Sequence, residues 1–398
     1  MPEARAARRR HHLLLAGLTV GHLVNDFYTM VIPPLLPALR SAFDLGYVQA
    51  GVLSWSFYIL SGLLQPAAGQ LADTRGLRRR VIVAGFLVFA LGFVAMALVP
   101  SYSLLLAASL LCGVGGTTFH PQSTNFLTQA FPANKGRAMG IHGWGGSIGN
   151  FLAPLVVTLL VSRLGWREAL LWLAVPALMT APLLRGLLDE PPPVRASGAA
   201  RSITRELVLV SLAFSLVSMV LRGFLTFLPT FLVERGSTLA QAGVTTSLML
   251  FVGLVAQPLG GQVYDRIGGR AIFFACSVGA GLGLVLSTLA DGTVLVLGAA
   301  VVAFSVYALF PVALALASEI ARGEHVGVSV GFVFGLSATL AAFTPILTGY
   351  VADLVGLGRA FQLLVFLAAG AAVMSVSLPG RRATAMVTVV GELQEPGR

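Results

Sequence analysis

The sequence predicts an all-α membrane protein whose twelve transmembrane helices form two pseudo-symmetric bundles of six. Three observations predict this fold class: an apolar composition, recurring apolar stretches of spanning length, and a repeat between the two halves of the chain. Of 398 residues, 56% are hydrophobic and only 11% are charged, too few to cover a water-exposed surface of this size. A lipid bilayer must therefore surround most of the chain.

Twelve apolar stretches are long enough to span a membrane as helices, each of which needs about 20 mostly apolar residues. Short clusters of Arg, Gly and Pro separate them. The predicted spans are 13–38, 48–71, 81–99, 103–130, 138–162, 168–187, 207–232, 239–263, 271–290, 294–319, 327–352 and 359–379.

The basic residues indicate the orientation of these spans. If the N-terminus is cytoplasmic, twenty of the 26 Lys and Arg residues fall in cytoplasmic segments and five in outer loops, and the remaining one, Arg222, lies deep inside an apolar span. This asymmetry follows the positive-inside rule, so the net charge of +10 at pH 7 reflects membrane orientation rather than nucleic-acid binding. We predict a monomeric, multi-pass protein of the bacterial inner membrane with both termini in the cytoplasm.

A polar, proline-rich segment that begins near Pro191 divides the chain into two halves. The predicted organisation is a cytoplasmic N-terminus at 1–12, bundles at 13–188 and 207–380, a cytoplasmic linker at 189–206 and a cytoplasmic tail at 381–398.

The two halves repeat each other. Seven residues recur at an offset of 192, which is hard to obtain by chance. They are Gln65, Pro66, Gly69, Gln70, Asp73, Gly76 and Arg78 in the first half and Gln257, Pro258, Gly261, Gln262, Asp265, Gly268 and Arg270 in the second.

The repeated segment predicts a loop between two helices that stabilises one conformation. Gly69 lets helix backbones approach, Gly76 permits a tight turn, and Asp73 can pair with Arg side chains or cap a helix. The predicted latch residues are Gly69, Asp73, Arg75, Gly76, Arg78, Gly261, Asp265, Gly268 and Arg270. The segment resembles the signature loop of the major facilitator superfamily, which implies the facilitator fold and alternating access.

Three further motifs resemble the fosmidomycin resistance protein family, mainly in the first half. They are His22-Leu23-Val24-Asn25-Asp26, Leu63-Leu64-Gln65-Pro66 and Phe119-His120-Pro121. The resemblance implies a bacterial efflux protein that exchanges protons for a drug. Members of that family carry an acidic residue directly after Phe-His-Pro, where this chain has Gln122.

Asp26 is the predicted proton-coupling residue, with His22 and Asn25. His22, Asn25, Asp26 and Thr29 share one helix face at i, i+3, i+4 and i+7. An ionisable side chain within a membrane is costly unless it faces a cavity or a partner, so it indicates function. The alternative is that Asp26 only forms a structural pair that fixes helix packing.

Arg222 is the predicted substrate-binding residue of the second half, because an intramembrane arginine stays charged and needs an anion nearby. Asp26 or an anionic group of the substrate could supply that anion. The full predicted substrate set is Arg222, His120, Gln122, Asn125 and Thr226. His120 could equally be an ordinary hydrogen-bonded helix residue beside Pro121.

Several glycines and one proline predict close helix packing and gating in two other spans. The predicted residues are Gly145, Gly149 and Pro154 in the fifth span and Gly331 and Gly335 in the eleventh. His142 and Asn150, in the same fifth span, are secondary site candidates.

These features predict a secondary active transporter, most simply a proton-coupled exporter of a drug or metabolite. Proton symport or uniport of an organic anion, or a receptor that keeps the scaffold without transporting, remain alternatives. No nucleotide-binding loop, zinc spacing or nucleophile with an oriented base occurs, so neither an enzyme nor a cofactor nor a metal site is expected. The implied partners are a small-molecule substrate, protons and the lipid bilayer.

Overall fold

The computed structural model describes residues 2–132, 134–190, 203–321 and 326–379, and the described elements are helices. They are α1 (Pro2–Thr29), α2 (Ile32–Phe43), α3 (Tyr47–Leu63), α4 (Gln65–Arg75), α5 (Arg78–Leu98), α6 (Tyr102–Gly116), α7 (Phe119–Ala130), α8 (Lys135–Leu164), α9 (Trp166–Leu187), α10 (Arg205–Glu234), α11 (Leu239–Ile267), α12 (Gly269–Leu289), α13 (Gly292–Ile320), α14 (Val326–Val355), α15 (Leu357–Leu363) and α16 (Val365–Ser375).

The helices follow the predicted spans. Within the described residues, eleven helical stretches are long and apolar enough to cross a membrane. Their ends differ from the predicted ends by no more than four residues. The remaining predicted span, 13–38, is divided between α1, which extends back to Pro2, and α2.

The break between α1 and α2 follows from the prolines that begin α2. Pro33 has no N–H, so the Thr29 carbonyl cannot receive the usual helical hydrogen bond. The Tyr58 hydroxyl of α3 donates to that carbonyl instead, at 2.7 Å. The chain therefore bends immediately after the polar stripe of α1, and α3 holds the bend in place.

Two compact units make up the described chain. The first contains the described residues up to 190 together with 225–248, and the second contains those of 203–224 and 249–379. Both boundaries fall inside long helices, α10 and α11. The predicted division at the linker stays a prediction, since residues 191–202 and the predicted tail at 381–398 lie outside the described residues.

Aromatic packing fixes α1 in the first unit. Tyr28 is fully buried, with its ring centroid 4.9 Å from that of Phe89 and 4.7 Å from that of Phe93, both on α5. Its hydroxyl donates to the Leu173 carbonyl of α9 at 2.8 Å. A buried Tyr of this kind combines apolar contact with a satisfied hydrogen bond, and it lies two residues after Asp26.

The end of α10 and the start of α11 belong to the first unit and make hydrogen bonds within it. Glu234 Oε1 lies 2.9 Å from Arg40 Nη1 and accepts a hydrogen bond from the Tyr47 hydroxyl at 2.5 Å. The Leu155 N–H, in the turn that contains Pro154, donates to Ser247 Oγ at 3.0 Å. A serine of α11 thus bonds to a backbone group where a proline interrupts the ladder of α8.

Candidate functional site

Asp26 lies at the centre of a polar cluster in the first unit. Its Oδ2 is 3.3 Å from His22 Nε2, one turn earlier on α1, and its Oδ1 is 3.4 Å from His120 Nε2 on α7. The Asp26 and His22 side chains are 15% and 13% exposed, whereas that of His120 is 38% exposed. The carboxylate is therefore enclosed, and His120 is the most accessible member.

Two asparagine amides complete the surroundings of the carboxylate. Asn25 Nδ2 donates to Asp26 Oδ1 at 3.0 Å and lies 3.3 Å from His120 Nε2. Asn150 Nδ2, on α8, donates to Asp26 Oδ2 at 3.3 Å. Each carboxylate oxygen thus has one amide donor and one imidazole nitrogen beside it.

The ring orientation of His22 determines which of its nitrogens carries a proton. Its Nδ1 lies 2.8 Å from the His142 carbonyl oxygen. A carbonyl only accepts, so Nδ1 donates, and in a neutral ring Nε2 is left with a lone pair. That lone pair faces the carboxylate of Asp26 at 3.3 Å, an arrangement of two acceptors that a shared proton or another cation would stabilise.

His142 of α8 is also in contact with the cluster. Its ring stacks on that of His22 with centroids 4.2 Å apart, and it is buried. On its other side, its centroid lies 5.9 Å from that of Phe119. Residues of α1, α7 and α8 therefore form the cluster.

Glycines on one face of α8 allow this helix to pack closely against α1. A Cβ at Gly145 would collide with the Thr19 carbonyl, and one at Gly149 would collide with the Leu23 carbonyl. A Cβ at Gly146 would lie 2.5 Å from His22 Nε2 and 2.6 Å from Asp26 Oδ2. The glycine face of α8 thus packs directly on the part of α1 that carries the site.

The glycines of α14 behave differently. A Cβ at Gly331 or Gly335 would meet no atom within 4 Å among the described residues. Among the described residues, neither glycine lets another helix approach closely, so the predicted packing role of these two positions stays a prediction. A gating role for them stays a prediction.

Two residues of the predicted substrate set join helices α7 and α4. Gln122 is fully buried and donates from Nε2 to the Ala68 carbonyl of α4 at 3.3 Å. Asn125 Nδ2 lies 3.5 Å from Asp73 Oδ1 in the last turns of α4. Both residues therefore contact α4 in this structure, and the substrate role predicted for Gln122 and Asn125 stays a prediction.

Arg222 and Thr226, the other predicted substrate residues, lie one turn apart on α10. Arg222 is partly exposed, and Thr226 is fully buried with a hydroxyl that has no hydrogen-bond partner among the described residues. The division into units falls between them, with Arg222 in the second unit and Thr226 in the first.

The first predicted latch loop contains an ion pair between a buried arginine and a partly exposed aspartate. Gly76 ends α4 in the left-handed region with φ of 63°, and the Leu77 N–H donates to the Ala72 carbonyl at 2.8 Å. Arg78, which is buried, donates from Nε to Asp73 Oδ1 at 2.5 Å. Gly69 faces Pro121 of α7, while Arg75 is exposed.

The second latch loop is built differently. Gly268 has a φ of 81°, and Arg270 donates from Nε and Nη2 to the Leu378 carbonyl at 3.1 and 2.9 Å. In the first unit it is Arg79 that reaches a comparable carbonyl, that of Leu188, at 3.4 Å.

Helix positions correct the alignment of these arginines. Arg79 and Arg270 are each the second residue of their helix, α5 and α12. Arg270 therefore corresponds in structure to Arg79, rather than to Arg78 as the constant offset suggests. Gly261 faces Pro311, as Gly69 faces Pro121, and Asp265 is exposed.

Gly146 is the site residue that sequence reasoning missed. Its neighbours Gly145 and Gly149 are recognisable as a small-residue pair, and Gly146 extends that pair toward Asp26. His142 and Asn150, secondary candidates in sequence, contact the cluster directly. Because His142 and Asn150 lie far from His22 and Asp26 in the sequence, no local motif reveals these contacts.

A helical membrane protein with an ionisable cluster inside its spans has the architecture of a secondary transporter. Residues 18–245 and 210–391 both match the sequence model of the Major Facilitator Superfamily. The chain belongs to this superfamily. It is a multi-pass membrane transporter, as the sequence predicts.

Individual relatives agree with this assignment. The chain is 27% identical over 381 residues to an uncharacterized MFS-type transporter, YfnC, of Bacillus subtilis, covering 89% of this chain and 90% of the relative. It is 24% identical over 372 residues to the fosmidomycin resistance protein of Escherichia coli, again covering 89% and 90%.

A solved structure has the same fold. The crystal structure of a bacterial homolog to the human lysosomal transporter Spinster, in an inward-facing and occupied conformation, matches with a TM-score of 0.80 at 17% identity. The match covers 91% of this chain and 95% of that one.

Proposed function

We propose that this transporter exports a small organic molecule in exchange for protons, and that the cluster of His22, Asp26 and His120 is the proton site. One observation carries the proposal. The Nε2 lone pair of His22 faces Asp26 Oδ2 at 3.3 Å, while Nδ1 is held by the His142 carbonyl. Two acceptors at this distance repel each other unless a proton lies between them.

The enclosure of the cluster supports the same conclusion. A charge inside a membrane is costly unless it is paired, so Asp26 is stable as an ion pair with a protonated His22 or as a neutral acid. Loss of the shared proton leaves a bare carboxylate that only amide donors stabilise. The two protonation states therefore favour different surroundings, which is what coupling to a conformational change requires.

His120 provides access to the cluster. Its Nε2 lies beside both Asp26 and Asn25, yet its side chain is more than twice as exposed as that of Asp26. It is therefore positioned to pass a proton between the enclosed carboxylate and water, or to contact a substrate that displaces that proton.

The direction of transport and the substrate class rest on similarity and charge. Likeness to the fosmidomycin resistance protein of Escherichia coli supports drug export. Arg222, permanently charged and within a span, supports a substrate with an anionic group. The excess of basic residues in alternate loops supports the bacterial inner membrane with both termini cytoplasmic.

Arg222 also favours a second candidate, symport or uniport of an organic anion. A fixed positive charge binds an anion without any proton being exchanged. This candidate requires transport that is unaffected when Asp26 can no longer ionise.

Proton movement in proteoliposomes tests the proposal. Vesicles that contain the wild-type protein and a trapped pH indicator are exposed to fosmidomycin as the first probe. We expect proton movement that depends on the probe, its loss in Asp26→Asn, and its retention in Asp189→Asn, a matched change at an exposed acid that pairs with Arg10. Equal proton movement in Asp26→Asn and wild type contradicts the proposal, and probe flux without proton movement favours the second candidate.

A further inference from the structure

The cluster of His22, Asp26 and His120 has the donor set of a metal site. One nitrogen of each histidine and one carboxylate oxygen lie within 4.8 Å of one another. Two imidazoles and one carboxylate bind zinc and other first-row divalent ions in proteins. The sequence does not show this set, because His120 lies on α7, far along the chain from α1.

One hydrogen bond orients His22 as a ligand. The His142 carbonyl holds the proton of His22 on Nδ1, which leaves Nε2 free to bind a cation. His120 Nε2 lies 3.4 Å from Asp26 Oδ1, so the same ring nitrogen faces the carboxylate and becomes a ligand in the tautomer that carries its proton on Nδ1. A histidine whose second nitrogen donates to a backbone carbonyl is the usual arrangement of a metal ligand.

The distances agree with a small divalent ion. Ligand atoms at about 2.0–2.1 Å around a tetrahedral zinc ion are about 3.3 Å apart. Asp26 Oδ2 lies 3.3 Å from His22 Nε2, which is this spacing, while His120 Nε2 lies 3.4 Å from the other carboxylate oxygen, Oδ1. One atom from each residue lies within 4.8 Å of the others, so His120 must move slightly closer to share one ion with Oδ2. His120 is the least enclosed of the three side chains, so its ring is the one with room to adjust.

Gly146 keeps the space between the ligands open. A Cβ there would lie 2.5 Å from His22 Nε2 and 2.6 Å from Asp26 Oδ2, on the two atoms that would bind the ion. The absence of a side chain at this position therefore leaves both atoms unobstructed from the side of α8.

We propose that His22, Asp26 and His120 form a binding site for a divalent transition-metal ion of the Zn²⁺ class, which occupies the place of the proton between His22 and Asp26. The inference goes beyond proton-coupled export, because metal binding needs no transported substrate. Since a metal binds deprotonated ligands, its binding releases protons. Zn²⁺ and the proton are therefore alternative occupants of one site.

Titration of the purified full-length protein, carrying no oligohistidine tag, with Zn²⁺ tests the inference. We expect one ion per chain in wild type, no comparable binding of Mg²⁺, which prefers oxygen ligands, and affinity weakened about 100-fold or more in His22→Gln and His120→Gln. His12→Ala is the control, since His12 is an exposed histidine of the same helix and its loss should leave the site intact.

Titration with Co²⁺ in place of Zn²⁺ measures the wild-type protein alone, so its result does not depend on the stability of a variant. The wild-type protein should develop visible absorption typical of tetrahedral cobalt with nitrogen ligands. No Zn²⁺ binding by wild type, or equal binding in wild type, His22→Gln and His120→Gln, overturns the inference. Zn²⁺ binding without proton release in weak buffer leaves the metal site in place but contradicts the shared proton of the proposed function.

Discussion

Helices α1 and α10 begin the two halves of the chain, and each carries one charged residue deep inside its span, but the two residues have different surroundings. Asp26 lies seven residues before Pro33, and Arg222 lies seven residues before Pro229. Around Asp26 the structure places three imidazoles and two amides. Near Arg222 on α10, Ser218 instead accepts a hydrogen bond from Ser337 at 2.7 Å.

Helices α1 and α10 also differ in whether the helix continues through the proline that follows the charged residue. The helical ladder breaks at Met30 and Val31 before Pro33, whereas α10 continues through Pro229. The difference shows how a duplicated scaffold can specialise. One half holds a carboxylate surrounded by imidazoles and amides, and the other holds an arginine within a span.

The largest expected contrast is between the glycines of α8 and α14. Gly149→Ala should destabilise the protein by about 3 kcal/mol, because its Cβ would press on Leu23 and lie 2.9 Å from the backbone nitrogen of Phe27, which cannot move aside. Gly335→Ala should be neutral or slightly stabilising, since nothing lies within 4 Å and alanine favours helices.

Thermal unfolding of both glycine variants in the same detergent measures this contrast. A loss of stability of the same size in Gly149→Ala and Gly335→Ala contradicts the account of α8 packing. Gly143→Ala is a control on α8 itself, because a Cβ at Gly143 also meets nothing within 4 Å.

The two latch loops should differ next most strongly. Arg78→Ala removes a buried guanidinium from Asp73 and should cost about 2 kcal/mol of stability, the upper range for a hydrogen bond to a charged group. Arg270→Ala removes bonds from an exposed side chain to one carbonyl and should cost about 1 kcal/mol. Chemical unfolding of the two variants side by side measures the difference, and a larger loss in Arg270→Ala would reverse the comparison.

The smallest expected effect concerns the break between α1 and α2. Tyr58→Phe removes the hydroxyl that donates to the Thr29 carbonyl, leaving one backbone acceptor unsatisfied at a cost of about 1 kcal/mol. A thermal unfolding midpoint below that of wild type is the expected result. An unchanged midpoint would mean that another group satisfies the carbonyl and that α3 does not hold the bend.

Hydropathy predicts the helices well, because a spanning segment must be both long and apolar. Hydropathy does not predict the break between α1 and α2 at Met30, or the break between α3 and α4 at Leu64. In both places the sequence remains apolar across the break. Such breaks depend on which donor replaces a proline's missing N–H, as Tyr58 does for Thr29.

The candidate site is only partly visible in the sequence. Helical spacing brings His22 and Asp26 together on one face of α1, but the approach of His120 and His142 depends on how α7 and α8 pack. Gln122 illustrates the limit, because its polarity indicates a wet cavity while its amide bonds to the Ala68 carbonyl. Polar residues that join helices and polar residues that bind substrate look alike in sequence.

Nitrogen-15 NMR of histidine-labelled protein in bilayers can detect the proton proposed to lie between His22 and Asp26. The signals of His22 are assigned by their loss in His22→Gln. We predict that Nδ1 is protonated in wild type and in Asp26→Asn, and that the environment of Nε2 changes between them because the shared proton is lost with the carboxylate. Identical His22 nitrogen signals in the two proteins would contradict the account.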